Sequence, residues 1–306
     1  MRRVRAALLS LLLLSLCACA PQAPPPPTPA PTQPPAPALA FLGSSESPWS
    51  EELADGLSDW CGQEGWEFVE YDCKGYSATQ AIQVADLARF GADAAVIYPT
   101  GAPEDLAAWG DALAAAHIPA LAVSDRAAEP PAEADGLCRV AATGEEFLRA
   151  AGEYLSDENV VILHSAEDAP LESAAPQALT QAGAKVLGRS YTWGSVQYAQ
   201  TSLAAALRAA PRARWVVCFS PAGAQAARAA IDELGRTDEV QILCLAWDAT
   251  LRELDENGVD ALTAVPVEDA LEAVDDAIPK LRRGEAPDFI SLAAKVLSAP
   301  EDGWAK

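Results

Sequence analysis

From Leu39 onward the chain alternates short, continuous apolar runs with amphipathic stretches several turns long. A strand that is apolar at every position is buried on both faces, and a helix after each strand makes neighbouring strands parallel. The first half reads as strands at Leu39–Gly43, Trp66–Tyr71, Ala94–Tyr98 and Ile118–Val123. Between them lie helices at Pro48–Cys61, Thr79–Phe90 and Pro103–His117. Pro103 sits near a helix start, where its missing N–H costs nothing, and Gly65 and Gly91 end the helices before them. The segment Ser124–Val140 is acidic, contains Pro130-Pro131 and reads as a crossing between two sheets. The rhythm then resumes with helices at Glu145–Leu155, Leu171–Ala182, Ser195–Ala209 and Pro221–Leu234. Its strands are Val160–Leu163, Lys185–Tyr191, Trp215–Phe219 and Val240–Ala246. The expected fold is α/β, with two Rossmann-like lobes built on parallel sheets and joined by a hinge. Lobe 1 is expected over 39–124, completed by about 267–290, with a late helix at Val267–Arg282; lobe 2 is expected over 125–266, completed by about 291–306.

The N-terminus has the layout of an export signal. Arg2, Arg3 and Arg5 form a charged start, and Ala6–Leu16 is an apolar run too short to span a bilayer. The run ends in Leu16-Cys17-Ala18-Cys19, which resembles the bacterial lipobox: an aliphatic residue, a variable one, a small one, then the cysteine that is lipidated. Residues 1–18 are therefore expected to be removed and Cys19 to carry a diacylglyceryl thioether. Two acyl chains anchor a protein stably where one is marginal. Residues 19–38 are a Pro-rich linker, a semi-rigid spacer that would hold the body off the extracytoplasmic face of the cell membrane.

Without the leader, 18 basic residues face 44 acidic ones, a net charge of -26. That charge repels phosphate backbones and anionic headgroups, so nucleic acid is not an expected partner. Five cysteines remain beyond Cys19: Cys61, Cys73, Cys138, Cys218 and Cys244. They show no C-x-x-C spacing, which argues against zinc or a redox pair. Cys218 and Cys244 lie in apolar runs where a free thiol packs well. Cys61 and Cys73 are open to two readings, one disulfide or two buried thiols.

Ala40-Phe41-Leu42-Gly43 leads into a serine-rich turn and Pro48-Trp49. Gly65-Trp66-Glu67-Phe68 follows the first helix, and Gln80 begins the second. Next come Phe90-Gly91-Ala92-Asp93-Ala94-Ala95-Val96-Ile97-Tyr98-Pro99 and His117-Ile118-Pro119-Ala120, and later Trp247-Asp248 after a strand. In this order the segments resemble the type I periplasmic binding proteins, which include sugar-binding components of ABC transporters and the effector domains of lac-repressor-like regulators: the third resembles the family's G-x-D segment ending in proline, the fourth its I-P segment and the last its G-F-D. The resemblance spans Leu39 to Gly284 and implies a solute held between two lobes, beyond the carboxyl ends of the strands.

The same resemblance indicates where a sugar-like solute would be met. Ser44, Ser45 and Trp49 follow the first strand, where an indole face suits the C–H face of a pyranose; Trp49 reads equally as a core residue at a helix start. Ser124, Asp125 and Arg126 follow Val123, with the Asp-Arg pair one residue later than in the family and Ser124 at the acid position; a solvated hinge pair is the alternative. In the second lobe the candidates are His164, Trp193, Ser220 and Asp248, the last also readable as a helix N-cap. Val265 stands near a position the family often gives to Gln.

The sequence contains no G-x-S-x-G, Walker A or H-E-x-x-H motif, so an enzyme is not expected, and nothing calls for a cofactor or a metal. Two roles stay open. One is a transport receptor that delivers its solute to an ABC permease. The other is a sensor whose closed form is read by a membrane kinase or chemoreceptor.

Overall fold

The computed structural model describes residues 35–131, 136–165, 170–245 and 251–299. The leader, Cys19, the linker as far as residue 34, and Asp248 lie outside the described residues. Two six-stranded sheets form the body. The first contains β1 (Ala38–Gly43), β2 (Glu67–Asp72), β3 (Ala94–Ile97), β4 (Ala120–Val123), β5 (Cys138–Ala141) and β11 (Phe289–Ser291), in the order β11-β5-β4-β3-β1-β2 and all parallel. The second contains β6 (Asn159–His164), β7 (Lys185–Tyr191), β8 (Trp215–Cys218), β9 (Gln241–Cys244), β10 (Ala261–Ala264) and β12 (Lys295–Ser298), in the order β12-β10-β9-β8-β6-β7. Only its β10–β12 pairing is antiparallel.

Helices cover both faces of each sheet, as fully apolar strands require. On the first sheet, α1 (Pro48–Glu64) and α9 (Val267–Arg282) cover one face; α2 (Ser77–Phe90) and α3 (Pro103–Ala115) cover the other. On the second, α6 (Val196–Ala209) and α7 (Pro221–Glu233) oppose α4 (Gly144–Tyr154) and α5 (Pro170–Gln181). A short helix, α8 (Leu251–Glu256), precedes β10. α1 shows why the local sequence commits to this form. Ser47 caps its start by accepting from the Ser50 N–H, Pro48 follows, and Gly65 ends it in the left-handed region at φ 74°. Leu53, Leu57 and Cys61, four residues apart, are buried on one stripe. Burying each leucine contributes about 1.5–3 kcal/mol.

The structure revises the boundary between the lobes. Cys138–Ala141 belongs to the first sheet, between β4 and β11, rather than to a second lobe beginning at 125. Arg139 and the acidic, Pro-rich approach hide this strand, and its outer partner β11 arrives far later in the sequence. The chain crosses between sheets at Ala142-Thr143, at Val265-Pro266 and at 292–294. All three crossings adjoin β5, β10, β11 or β12, so the edge strands β2 and β7 lie on the side away from them. The carboxyl end of each edge strand leads into two consecutive left-handed residues: Lys74-Gly75 after β2 (φ 51° and 72°) and Trp193-Gly194 after β7 (φ 50° and 70°). Each turn is closed by a 3.0 Å backbone hydrogen bond, Tyr76 N–H to Cys73 and Ser195 N–H to Thr192. All five body cysteines are buried free thiols, so the Cys61–Cys73 disulfide is not formed. Cys61 packs inside the first-lobe core, and burial pushes its thiol up to about 11.

Candidate functional site

A cavity of about 530 Å³ opens at the carboxyl ends of β1, β3 and β4, in the size range of small-molecule sites. Its first-lobe wall includes Ser44, Trp49, Tyr98, Thr100, Asp125 and Arg126. Facing it are apolar side chains, Leu254, Leu262, Ala264, Val265 and Leu297, from α8, β10, β12 and the crossing after β10. Glu46, Glu52 and Glu268 are exposed at its rim.

A relay of hydroxyls organises the polar wall. The Ser50 N–H donates to Ser47 Oγ at 3.2 Å, Ser47 donates to Tyr98 Oη at 3.2 Å, and Tyr98 donates to Asp125 Oδ1 at 3.1 Å. Burial pushes the Tyr98 phenol above its ordinary range, and the Asp125 carboxylate adds to the effect, so Tyr98 remains a donor. The Trp49 ring lies 5.7 Å from that of Tyr98, and its Nε1–H donates to the Val265 carbonyl at 2.8 Å. Trp49 therefore keeps its ring against the cavity while its polar edge is used by the inter-lobe crossing. Asp125 is buried and Arg126 half-buried, with the Arg126 Nε lacking a hydrogen-bond partner among the described residues. Ser124 does not line the cavity; its Oγ accepts from the Arg126 N–H at 3.0 Å and fixes the loop that presents the pair. The one-residue displacement seen in the sequence thus still brings Asp125 and Arg126 to the wall.

Ser44 lines the cavity, buried, with its N–H donating to Ser50 Oγ at 2.9 Å. Ser45 does not: its N–H and hydroxyl both donate to Asp72, at 3.0 and 2.7 Å. Two contributors escaped the sequence reading. Tyr98 ends a buried strand, and a phenol in that place marks the carboxyl edge of a sheet. Thr100 is held by fully buried Gln80, whose Oε1 accepts from the Thr100 N–H and hydroxyl at 3.0 Å each while its Nε2 donates to the carbonyls of Leu42 and Tyr98. A glutamine in the first turn of a helix following a strand was the available signal.

The second-lobe candidates lie elsewhere. His164, Trp193 and Ser220 do not line this cavity. Ser220 caps α7 by accepting from the Gly223 N–H at 3.1 Å. His164 ends β6 and is buried, its ring 5.2 Å from Tyr191 on one side and 5.9 Å from Phe219 on the other. Tyr191 in turn meets Trp193 at 5.8 Å. Burial, then the charge of Arg189, lowers the His164 pKa and keeps the imidazole neutral. A Glu172 oxygen lies 3.8 Å from Nδ1, beyond hydrogen-bond reach, and the carboxylate already accepts from the Ser165 N–H and hydroxyl at 2.7 and 2.6 Å. The His164 Nε2 has no hydrogen-bond partner among the described residues.

Among the described residues, no group of three or more His, Cys, Asp or Glu side chains is placed to hold a metal ion. No helix among them is long and apolar enough to cross a membrane.

No protein-family model matches the sequence, and a search of curated proteins returns no match. Solved structures do match. The periplasmic binding component of the arabinose ABC transporter from Shewanella sp. ANA-3, bound to L-arabinofuranose, is 19% identical, with 85% of this chain and 91% of that chain covered and a TM-score of 0.58. An ABC transporter solute-binding protein from Bradyrhizobium sp. BTAi1 with bound Bis-Tris is 20% identical over 89% and 85%, with a TM-score of 0.64. A periplasmic ribose ABC transporter protein from Conexibacter woesei is 12% identical over 86% and 92%, with a TM-score of 0.66. With its two six-stranded parallel-rich sheets, three crossings and a cavity at the strand ends, the chain has the two-lobed fold of the type I periplasmic binding proteins.

Proposed function

We propose that the chain captures a small, sugar-like solute between its lobes on the outer side of the cell membrane, tethered there through Cys19, and delivers it to an ABC permease. The observation that carries this reading is the meeting of Tyr98, Asp125 and Arg126 with the ring of Trp49 in one solute-sized cavity. A carboxylate and a guanidinium form strong, directional hydrogen bonds with hydroxyls, and the two rings offer apolar faces to C–H groups. The structural neighbours named above, two of them named for arabinose and ribose, support the same chemistry. The three crossings provide the hinge about which such lobes close.

Thermal-shift measurements against pentoses, hexoses and polyols test the reading. A solute present at a hundred times its dissociation constant should stabilise the fold by about 2.7 kcal/mol. Asp125→Ala should weaken binding about ten- to a hundred-fold. Deleting the chain from its host should abolish uptake of the stabilising solute. If no sugar or polyol raises the melting temperature, or if Asp125→Ala binds as tightly as the parent, the assignment falls.

A further inference from the structure

The cavity has two unlike walls. From the first lobe, Ser44, Tyr98, Thr100, Asp125 and Arg126 bring hydroxyls, a carboxylate and a guanidinium. The facing wall is aliphatic, and the pleat of β10 builds it. Ala261 and Thr263 are buried on one face of that strand, whereas Leu262 and Ala264, at the alternate positions, are half-buried and line the cavity. Across the antiparallel β10–β12 ladder Leu262 is the register partner of Leu297, so the two leucines stand side by side on the same face. Leu254 of α8 and Val265 extend the wall. Leu297 remains 41% exposed, although it belongs to this contiguous patch. Aliphatic surface gathered in a solute-sized cavity marks a binding surface rather than a scattered apolar residue.

Hydroxyl groups decide what suits such a wall. A simple sugar carries them around its whole ring, and any turned toward Leu254, Leu262 or Leu297 would lose water without gaining a partner. A methylene in the same place gains by leaving water. We propose that the solute is amphiphilic: a hydroxylated head held by Asp125 and Arg126, bearing an aliphatic chain of a few carbons that packs on Leu254, Leu262 and Leu297. The inference rests on the solute-binding reading above and narrows it from simple sugars to alkyl-bearing ones. At about 530 Å³ the cavity lies in the range that encloses drug-sized molecules, so head and chain fit together.

Matched pairs that differ only in chain length provide the test: methyl and n-butyl β-D-glucopyranoside, β-D-galactopyranoside and β-D-ribofuranoside. Each fully buried methylene strengthens binding about four-fold, so titration calorimetry on the mature chain should find at least one butyl glycoside bound about ten-fold or more tighter than its methyl partner. Leu297→Ser, at an exposed position, and Leu262→Thr, which keeps a good strand former in β10, should each shrink that ratio. Leu187→Ser removes an equally exposed leucine from β7, away from the cavity, and should leave the ratio as it was. Equal affinity within every pair, a preference that survives both cavity substitutions, or one that Leu187→Ser lowers as much, overturns the alkyl-bearing solute and leaves sugar capture standing. Binding of a free sugar with no glycoside bound has the same consequence. If no glycoside binds and the sugar and polyol screen is also silent, both readings fall.

Discussion

The indole N–H of Trp49 donates to the carbonyl of Val265 at 2.8 Å, joining residues 216 positions apart. One belongs to the first turn of α1 in the first lobe; the other is the crossing residue that leaves the second. The cavity wall and a crossing between the lobes therefore share a bond. Trp49→Phe keeps the ring and removes the donor, leaving a buried carbonyl unpaired. The expected loss is about 1 kcal/mol of stability, read from urea unfolding midpoints. Unchanged midpoints would mean that water takes over the Val265 carbonyl at no cost.

Tyr98→Phe should cost more. It removes the hydroxyl that donates to Asp125 and accepts from Ser47. Hydrogen bonds to charged groups are worth about 1.5–3 kcal/mol, so the melting temperature should fall further than for Trp49→Phe. A variant with parental stability would show that Asp125 is satisfied without the phenol.

The His164 pKa lies below its ordinary value of 6.5 in the folded chain, because burial disfavours the cation. As pH falls through 6.5, the unfolded chain binds a proton that the folded chain refuses, so stability present above that pH declines toward the folded pKa. His164→Phe retains a ring against Tyr191 and Phe219 and removes the titration. The parent should therefore lose stability relative to the variant between pH 7.5 and about 5.5, in paired urea unfolding series. The opposite sign would make His164 and Glu172 a charged pair.

Cys19→Ala should release the protein from the membrane fraction, because the thiol that would carry both acyl chains is gone. Cell fractionation with detection of the body measures it. Retention equal to the parent would place the anchor elsewhere.

The strand–helix framework was legible because buried parallel strands are apolar at every position, as at Leu39–Leu42 and Val160–Leu163. β5, β10, β11 and β12 were not. Each is three or four residues long; Arg139 interrupts β5, Lys295 opens β12, and β11 and β12 keep their side chains partly or fully exposed, so no long apolar run marks them. Their places come from pairing with strands remote in sequence. The site was half legible. Ser44, Trp49, Asp125 and Arg126 follow strand ends, where the family resemblance put candidate residues, and all four line the cavity. Ser45 and Ser124 follow strand ends too, yet their hydroxyls are taken by Asp72 and by the Arg126 N–H, a choice between local partners that residue type does not reveal. Tyr98 read as the last apolar residue of a strand, since its role depends on Ser47 and Asp125 arriving from two other loops.

The matching turns at Lys74-Gly75 and Trp193-Gly194 separate backbone from chemistry. Each lobe carries the same pair of left-handed residues after its edge strand, with an ammonium in one and an indole in the other. The scaffold has already accepted two unrelated side chains at this strained place, one in each lobe. The two side chains can therefore be exchanged between the lobes, Lys74→Trp or Trp193→Lys, with the neighbouring glycine absorbing the same backbone demand. Such exchanges trade an ammonium for an indole beside β2 or β7, on the side of each sheet away from the three crossings, so the surface there can be rewritten without touching the segments that join the lobes.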